Sequence, residues 1–301
     1  MKKVLVIGSI NIDLTVSTER IPKSGETVTG TAFSTNYGGK GANQAVAIAK
    51  QGGAVKFIGA VGNDNYGSSC IANLEKNGIE FCGKILNNES TGVAVITVCG
   101  GDNSIILHSG ANSKVNKEML VENTALFDWA DIVVMQLEIP VITVLEGALL
   151  AKKHGCITIL NPAPVCKLPP ELLKLTDIII PNEHEARLLT GYSCDSEAGC
   201  RQAIARFNEL GVPNVIITLG ANGCAYTGNG SIVFKTAYKS KAVDTTAAGD
   251  SFIGGLCSEF NNPFILDAAV DYASKVSSVT VSRHGAADSI PSKAEILELF
   301  K

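Results

Sequence analysis

The chain reads as an α/β protein: a three-layer sandwich on a central, mostly parallel sheet, with a small β-sheet lid. Three observations lead there. Residues 4–8, Val-Leu-Val-Ile-Gly, form an unbroken apolar run ending in glycine, as a strand covered on both faces requires. From Lys117 onward, apolar runs of strand length alternate with helical patterns, the repeat that builds a parallel sheet with helices on both sides. Residues 11–33 differ: their mixed alternation (Leu14, Val16, Val28, Thr29, Thr31, Phe33) is broken by Pro22 and Gly25, which suits a few strands of a half-exposed sheet.

After this first stretch, a helix runs on from Gly41 through Ala45, Val46, Ile48 and Ala49. It stops near Gly52-Gly53, where glycine can close the last turn. Residues 56–62 predict a strand, and the apolar spacing over 65–78 predicts a helix. Residues 92–99 and 104–108 read as a hairpin around Gly100-Gly101-Asp102. Strands follow at 132–135, 157–160, 178–180 and 215–219 with helices between them, then two short strands at 224–227 and 232–234. Helices are expected at 249–260, 265–282 and 292–300. No internal repeat or low-complexity linker appears, so residues 1–301 read as a single domain whose lid comes from insertions at about 11–36 and 90–110.

Composition narrows the function. With 301 residues, 46% hydrophobic and 18% charged, the chain can bury a large core and is not disordered. Net charge is −4 and no Lys/Arg run exists, so a nucleic-acid partner is not expected. Nine cysteines (70, 82, 99, 156, 166, 194, 200, 224 and 257) are scattered without a CxxC pair, which argues for reduced thiols in a cytoplasm. The four histidines do not cluster with them, against a zinc site. Met1-Lys-Lys followed by the apolar run imitates a signal peptide, but Asn11 and Asp13 interrupt it at once. Nothing approaches the length of a membrane span, so no membrane association is expected.

Two segments carry the chemistry. Asp244-Thr-Thr-Ala-Ala-Gly249-Asp250 runs straight into the apolar Ser251-Phe-Ile-Gly-Gly-Leu. Small residues let a ligand approach the backbone, and the first amides of a helix are unpaired donors that favour an anion such as phosphate. An Asp there can accept a proton from whatever attacks the phosphate; the competing account is an ordinary N-cap. Upstream stands Gly38-Gly39-Lys40-Gly41-Ala42-Asn43-Gln44-Ala45, again glycines feeding a helix. It is not a Walker A loop, because no Ser or Thr follows the lysine and the glycine spacing differs. Val6-Ile-Gly-Ser-Ile-Asn-Ile-Asp likewise lacks the GxGxxG of a dinucleotide oxidoreductase.

The pair GGKGANQA and DTTAAGD resembles the signature segments of the ribokinase family of sugar kinases, and the resemblance extends over essentially the whole chain. It implies ATP-dependent phosphorylation of ribose at its 5-hydroxyl, with Mg2+ carried by ATP, K+ as activator, and a homodimer formed through the lid. Asp250 would be the base, and the amides of Ala247, Ala248 and Gly249 the anion hole. Sugar contacts would come from Asn11, Asp13, Gly39, Lys40, Gly41, Asn43 and Glu138. For Glu138, a first-turn acid of the helix at Pro140 is an equal alternative. Pro181-Asn182-Glu183-His184-Glu185 is similar to the family's Asn-x-x-Glu element, with Asn182 and Glu185 one turn apart facing magnesium and the phosphates; an Asn cap is the alternative. Thr218, Gly220, Gly223 and Ser274, together with Gly249, would complete the nucleotide side. The resemblance also implies a monovalent cation held by Asp244, by the carbonyls of Thr246, Thr280, Arg283 and Gly285, and by the side chain of Ser289. Two departures are visible. Ala247-Ala248-Gly249 stands where many relatives have Gly-Ala-Gly, and Leu14 follows Asp13 where some carry His. A deoxyribose, other sugar or nucleoside kinase, or a sugar-binding regulator without catalysis, remain alternatives.

Overall fold

A computed structural model describes residues 1–100, 102–228, 230–259 and 266–301. The amino-terminal third holds β1 (Lys3–Ile7), β2 (Asn11–Ser17), β3 (Ala32–Gly38), α1 (Lys40–Lys50), β4 (Ala54–Ile58), β5 (Ala60–Gly62) and α2 (Asn65–Lys76). Next come β6 (Ile79–Phe81), β7 (Lys84–Leu86), β8 (Gly92–Cys99) and β9 (Asp102–His108). The alternating part follows with α3 (Lys117–Glu122), α4 (Ala125–Trp129), β10 (Ile132–Met135), α5 (Val141–Lys153), β11 (Ile157–Leu160), α6 (Pro170–Lys174) and β12 (Ile178–Ile179). The chain continues through α7 (Glu183–Thr190), α8 (Glu197–Glu209), β13 (Asn214–Thr218), β14 (Cys224–Thr227) and β15 (Ile232–Lys235). It closes with α9 (Ala248–Ser258), α10 (Leu266–Thr280) and α11 (Lys293–Leu299). The expected helix ends at Phe260 and Ile265, and Gly101 of the expected hairpin turn, lie outside the described residues.

Nine strands form one sheet in the order β15-β14-β13-β12-β11-β10-β1-β4-β6. Every pairing from β6 across to β13 is parallel, and only the β13-β14-β15 edge is antiparallel. The pleat of β1 explains the three layers. Val4 and Val6 belong to one buried cluster with Val46 of α1, Ile253 of α9 and Val270 of α10. Leu5 and Ile7 belong to another with Leu120 of α3, Val144 of α5 and Phe207 of α8. Alternate residues thus point to opposite faces, and both faces are covered, so the whole run must be apolar.

From β1 the chain crosses one way to β4 and later returns on the other side to β10. Such a reversal opens a crevice beyond the carboxyl ends of the two strands, where ligands bind in open α/β sheets. Ser9 follows β1 there, and Gln136 and Glu138 follow β10.

A separate four-stranded sheet, in the order β3-β2-β8-β9, rises from the same end. β2 pairs antiparallel with β3 and parallel with β8, and β8-β9 is the expected hairpin. Two expectations need correction. Residues 56–62 are not one strand: β4 stays in the large sheet, while β5 pairs with β7 in a two-stranded sheet. The break falls at Gly59, where a Cβ would stand 2.6 Å from the Gly8 carbonyl oxygen. Residues 28–31 are not strand either; pairing on that side begins at Ala32, opposite Ser17.

Candidate active site

The two glycine-rich helix starts lie side by side because glycines further along let the helices come close. A methyl group on Gly254 of α9 would sit 2.4 Å from the Ala47 methyl of α1, and one on Gly255 would sit 2.8 Å from Ala273 Cα of α10. Neither approach is possible for a larger residue in a close-packed interior.

α1 begins after Gly39, whose φ of 89° is in the left-handed region. A Cβ on Gly39 would stand 2.8 Å from the Asn11 amide nitrogen, and one on Gly41 would stand 2.6 Å from that of Ser9. These glycines therefore serve the contact with the β1–β2 turn. The opening amides of α1 are already engaged. Lys40 N donates to Glu138 Oε2 (3.0 Å), Gly41 N to Ser9 Oγ (3.3 Å) and Ala42 N to the Ser9 carbonyl (3.0 Å). Ser9 Oγ also donates to Glu138 Oε2, at 2.5 Å. Glu138 thus lies against the start of α1, and Pro140, not Glu138, caps α5.

α9 is built differently. Its N-cap Ala247 has φ 59°, the only non-glycine at positive φ among the described residues, and no side chain caps the helix. Ala248 N donates to the Thr245 carbonyl at 3.2 Å, whereas the amides of Ala247, Gly249 and Asp250 meet no acceptor among the described residues. A Cβ on Gly249 would find nothing within 4 Å. The helix end is therefore open, with donors and the positive end of the dipole directed at it. Of the three expected anion-hole amides, Ala247 and Gly249 are free and Ala248 is engaged within the loop.

Asp250 sits in the first turn of α9 and is buried, yet it does not cap its own helix. Its Oδ1 accepts from Gln44 Nε2 (2.9 Å) and its Oδ2 from Asn43 Nδ2 (3.3 Å). Burial pushes its pKa up; Lys40, Gln44 and Asn43 oppose that, and Glu138 adds to it. Lys40 is surrounded by acids. Burial disfavours its charge, but Asp250, Glu138 and Glu185 together hold its pKa above the usual value. Asp13 of β2 lies across the pocket, with its carboxylate where a Gly38 side chain would be; a Cβ there would be 2.3 Å from either oxygen. Burial, then Glu138 and Asp250, push Asp13 up to about 6. Asn43 Oδ1 is buried without a hydrogen-bond partner among the described residues. Such an atom is costly unless a ligand supplies a donor. Asn11 is engaged elsewhere: its Oδ1 accepts from Asn112 Nδ2 at 2.8 Å.

On the far side of the cleft, Asn182 and Thr218 form an isolated parallel bridge, which brings the two nucleotide-side segments together. Asn182 caps α7 by accepting from Glu185 N (2.8 Å), and Glu185 Oε2 accepts from Asn182 N (2.8 Å), so the capping box is present. Glu185 nonetheless faces the site: burial raises its pKa and Lys40 is among the groups lowering it. Gly220 has φ 53° with open space around it, but Gly223 has an internal reason, since a Cβ there would be 1.9 Å from the Lys235 carbonyl. Ser274 Oγ donates to Val270 O within α10 (2.7 Å).

Asp244 ties the loop before α9 to the turn after α10. Its Oδ1 accepts from Thr246 N (2.9 Å), its Oδ2 from Gly285 N (3.0 Å), and its own amide donates to Val281 O (3.2 Å). Burial alone would raise its pKa; the Thr246 and Gly285 hydrogen bonds outweigh this and hold it below the usual range. Thr280 and Ser289 are buried beside this turn, while the Arg283 guanidinium turns away to Glu295. Among the described residues no three His, Cys, Asp or Glu side chains form a metal cluster. Both oxygens of Asp244 are thus engaged by backbone N–H donors, of Thr246 and of Gly285.

Sequence reasoning missed the residues behind these groups. Buried Gln44 and Gln136, with half-buried Asn161, form a chain to Asp250, and Ser9 and Asn112 hold the β1–β2 turn. Their signal was position: Ser9, Gln136 and Asn161 each stand just beyond a central strand.

This is the layout of a phosphoryl-transfer site in a doubly wound α/β fold, and its family is shown by comparison. Residues 1–293 match the model of the pfkB family of carbohydrate kinases, and the chain belongs to that family. A ribokinase of Haemophilus influenzae is 40% identical over 304 residues, covering 100% of this chain and 99% of the relative. A deoxyribokinase of Salmonella typhi is 35% identical over 96% of this chain and 95% of its own. Among solved structures, the Arabidopsis thaliana ribokinase complexed with ribose and ATP superposes with a TM-score of 0.94 at 34% identity, covering 100% of this chain and 99% of that one.

Proposed function

We infer that this chain transfers the γ-phosphoryl group of ATP to the 5-hydroxyl of D-ribose, giving ribose 5-phosphate and ADP. One observation carries the reading: the buried Asp250 carboxylate beside unpaired amides at the open start of α9. The sugar oxygen attacks the γ-phosphorus as the bond to the ADP oxygen breaks, its electron pair leaving with ADP. The hydroxyl proton passes to Asp250. A carboxylate is too weak a base to ionise an alcohol beforehand, but phosphoryl transfer has a loose transition state and needs the proton removed only late. Burial, by raising the proton affinity of Asp250, works in the same direction. The amides of Ala247, Gly249 and Asp250 stabilise the charge on the transferring group, and Ala248 joins them if its bond to Thr245 opens.

Asp13 and the unpartnered Asn43 Oδ1 accept from sugar hydroxyls, while Lys40 and the Gly39–Gly41 backbone hold other oxygens. Asn11 and Glu138 support that pocket. Thr218, Gly220, Asn182 and Glu185 border the ATP phosphates, with Gly223 shaping the loop and Ser274 near the base. Mg2+ would arrive with ATP and neutralise phosphate charge, with Glu185 the nearby carboxylate able to act on its water shell. K+ would lie by Asp244, with the carbonyls of Thr246, Thr280, Arg283 and Gly285 and the side chain of Ser289, and would steady the turn into α9.

The four-stranded sheet serves as a lid over the sugar, excluding water that would otherwise take the phosphoryl group. Its strongly exposed apolar residues, among them Phe33 (67%) and Ile106 (74%), support a homodimer formed through this sheet. Nine free thiols support a reducing cytoplasm.

Similarity to a deoxyribokinase makes deoxyribose the competing acceptor. A carboxylate placed for hydroxyls loses its partner with a deoxy sugar, a mismatch that can cost up to about four orders of magnitude. ADP release with MgATP and D-ribose, 2-deoxyribose, fructose or adenosine, with and without K+, decides the matter. Turnover with ribose raised by K+ is expected. Preference for another acceptor would reassign the Asp13 pocket, and no turnover at all would favour a sugar-binding regulator.

A further inference from the structure

A chain of amides, buried at Gln44 and Gln136 and half-buried at Asn161, reaches Asp250 from the central sheet, and its direction is set at one end by a group that cannot rotate. Asn161, beyond β11, donates from Nδ2 to the Ile180 carbonyl at 3.0 Å, so its Oδ1 must be an acceptor. Gln44, fully buried on α1, donates from Nε2 both to that oxygen (3.2 Å) and to Asp250 Oδ1 (2.9 Å). Its Oε1 is then left to accept from Gln136 Nε2, at 2.6 Å, beyond β10. A flipped Gln44 would set its carbonyl against both the Asp250 carboxylate and Asn161 Oδ1, and its donors against those of Gln136. Gly8 makes room for this arrangement, because a Cβ there would be 2.1 Å from Gln136 Oε1.

We propose that Gln44, locked by Gln136 and Asn161, is a positioning residue that ties up Asp250 Oδ1 and leaves Oδ2 as the oxygen that takes the sugar proton. This rests on the kinase reading above. Each oxygen accepts one bond, 2.9 Å at Oδ1 and the longer 3.3 Å from Asn43 at Oδ2, so Oδ2 is the less engaged of the two and keeps the greater capacity to accept a proton. The carboxylate plane is thereby set, through Gln44, by groups beyond the ends of β10, β11 and β12. A buried neutral amide also supports the ionised form of Asp250 without adding charge to a pocket that already holds Lys40, Asp13, Glu138 and Glu185.

The test is Gln44→Met, close in volume but without the donors. At saturating ribose and MgATP, kcat falls about tenfold to a hundredfold, as for loss of a hydrogen bond to a charged group. The acid limb of kcat against pH moves up by about one unit, because an unsupported buried carboxylate holds its proton more tightly. Saturating sugar keeps the titration of Asp13, which governs binding, out of that limb. Gln136→Met, which frees Gln44 without removing it, gives a smaller change of the same kind and serves if Gln44→Met does not fold. An unmoved acid limb in either folded variant, with or without loss of thermal stability, overturns the proposal. Carboxyl NMR titration of Asp250 in the free protein, wild type against Gln44→Met, reads the support given by Gln44 without turnover. An Asp250 pKa higher in Gln44→Met than in a wild type that phosphorylates no sugar would therefore defeat the kinase reading and not the support that Gln44 gives.

Discussion

The starts of α1 and α9 look alike as sequence and behave as opposites. Both are glycine-bearing turns leading into apolar helices. At α1 the glycines exist because the β1–β2 turn presses on them, and the opening amides of Lys40, Gly41 and Ala42 are consumed by Glu138 and Ser9. At α9, a Cβ on Gly249 would meet nothing, and the amides of Ala247, Gly249 and Asp250 find no acceptor among the described residues. A glycine-rich helix start is therefore an anion site only when the fold leaves its donors unspent. In the proposed reaction one start would present side chains, Lys40 and Asn43, to the sugar, and the other backbone to the phosphate.

The sharpest way to break this comparison is Asp250→Asn, which keeps the shape of the α9 start but removes the proposed base. Turnover should fall by about two to four orders of magnitude, while calorimetry still detects ribose binding. A near-normal rate would remove Asp250 from the chemistry.

Next in size is a pair of matched substitutions. Gly41→Ala drives a methyl against the Ser9 backbone and should cost about 1–3 kcal/mol of stability, read by denaturant unfolding. Gly249→Ala meets no protein atom, so the fold should be unchanged or more stable by up to about 1 kcal/mol from helix propensity. Its cost should fall on the reaction, with kcat/KM for ATP lower by about tenfold or more as the methyl obstructs approach to the free amides. If both variants lose stability alike, the distinction between the two helix starts fails.

A pH profile sharpens the α1 side. The Asp13 carboxyl, pushed up to about 6, binds its proton more tightly folded than unfolded. Its favourable contribution to stability is therefore present below the ordinary carboxylate range and lost as pH rises through about 6. Sugar hydroxyls donate to the ionised form, so ribose affinity should rise through the same range and then level off. Asp13→Asn should weaken binding and flatten that rise; a wild-type affinity independent of pH would take Asp13 out of the sugar contact.

The smallest effect belongs to Ala247→Gly. Relief of the left-handed φ is worth about 1–2 kcal/mol, and the extra freedom of glycine in the unfolded chain takes back about 0.4–1. A rise of a few degrees at most in melting temperature is expected, with kcat nearly unchanged.

Much of this was legible in the chain. The alternation of apolar strands and helices is written in local periodicity, so the layered sheet could be read directly. Asp250, Lys40 and Asn43 could be picked out because small residues beside them at helix starts leave a local mark, and Asp13 by its resemblance to a family segment. Other elements gave no such mark. The strand over residues 56–62 divides between two sheets because of crowding at Gly59 by Gly8, a contact invisible to periodicity. Glu138 fitted a first-turn acid equally well, and only packing turned it onto the start of α1.

By itself, then, the sequence determined the α/β order, the two helix starts and the acids that stand near them, since these depend on neighbours along the chain. The tertiary structure alone decided which helix start keeps its amides, which oxygen of Asp250 meets Gln44 and which Asn43, and that Asn182 and Thr218 meet. The physical reason is distance along the chain. Glu138 reaches an amide 98 residues away, Gln44 a carboxylate 206 residues away, and hydrogen bonds of that span exist only once the sheet has brought its strand ends together.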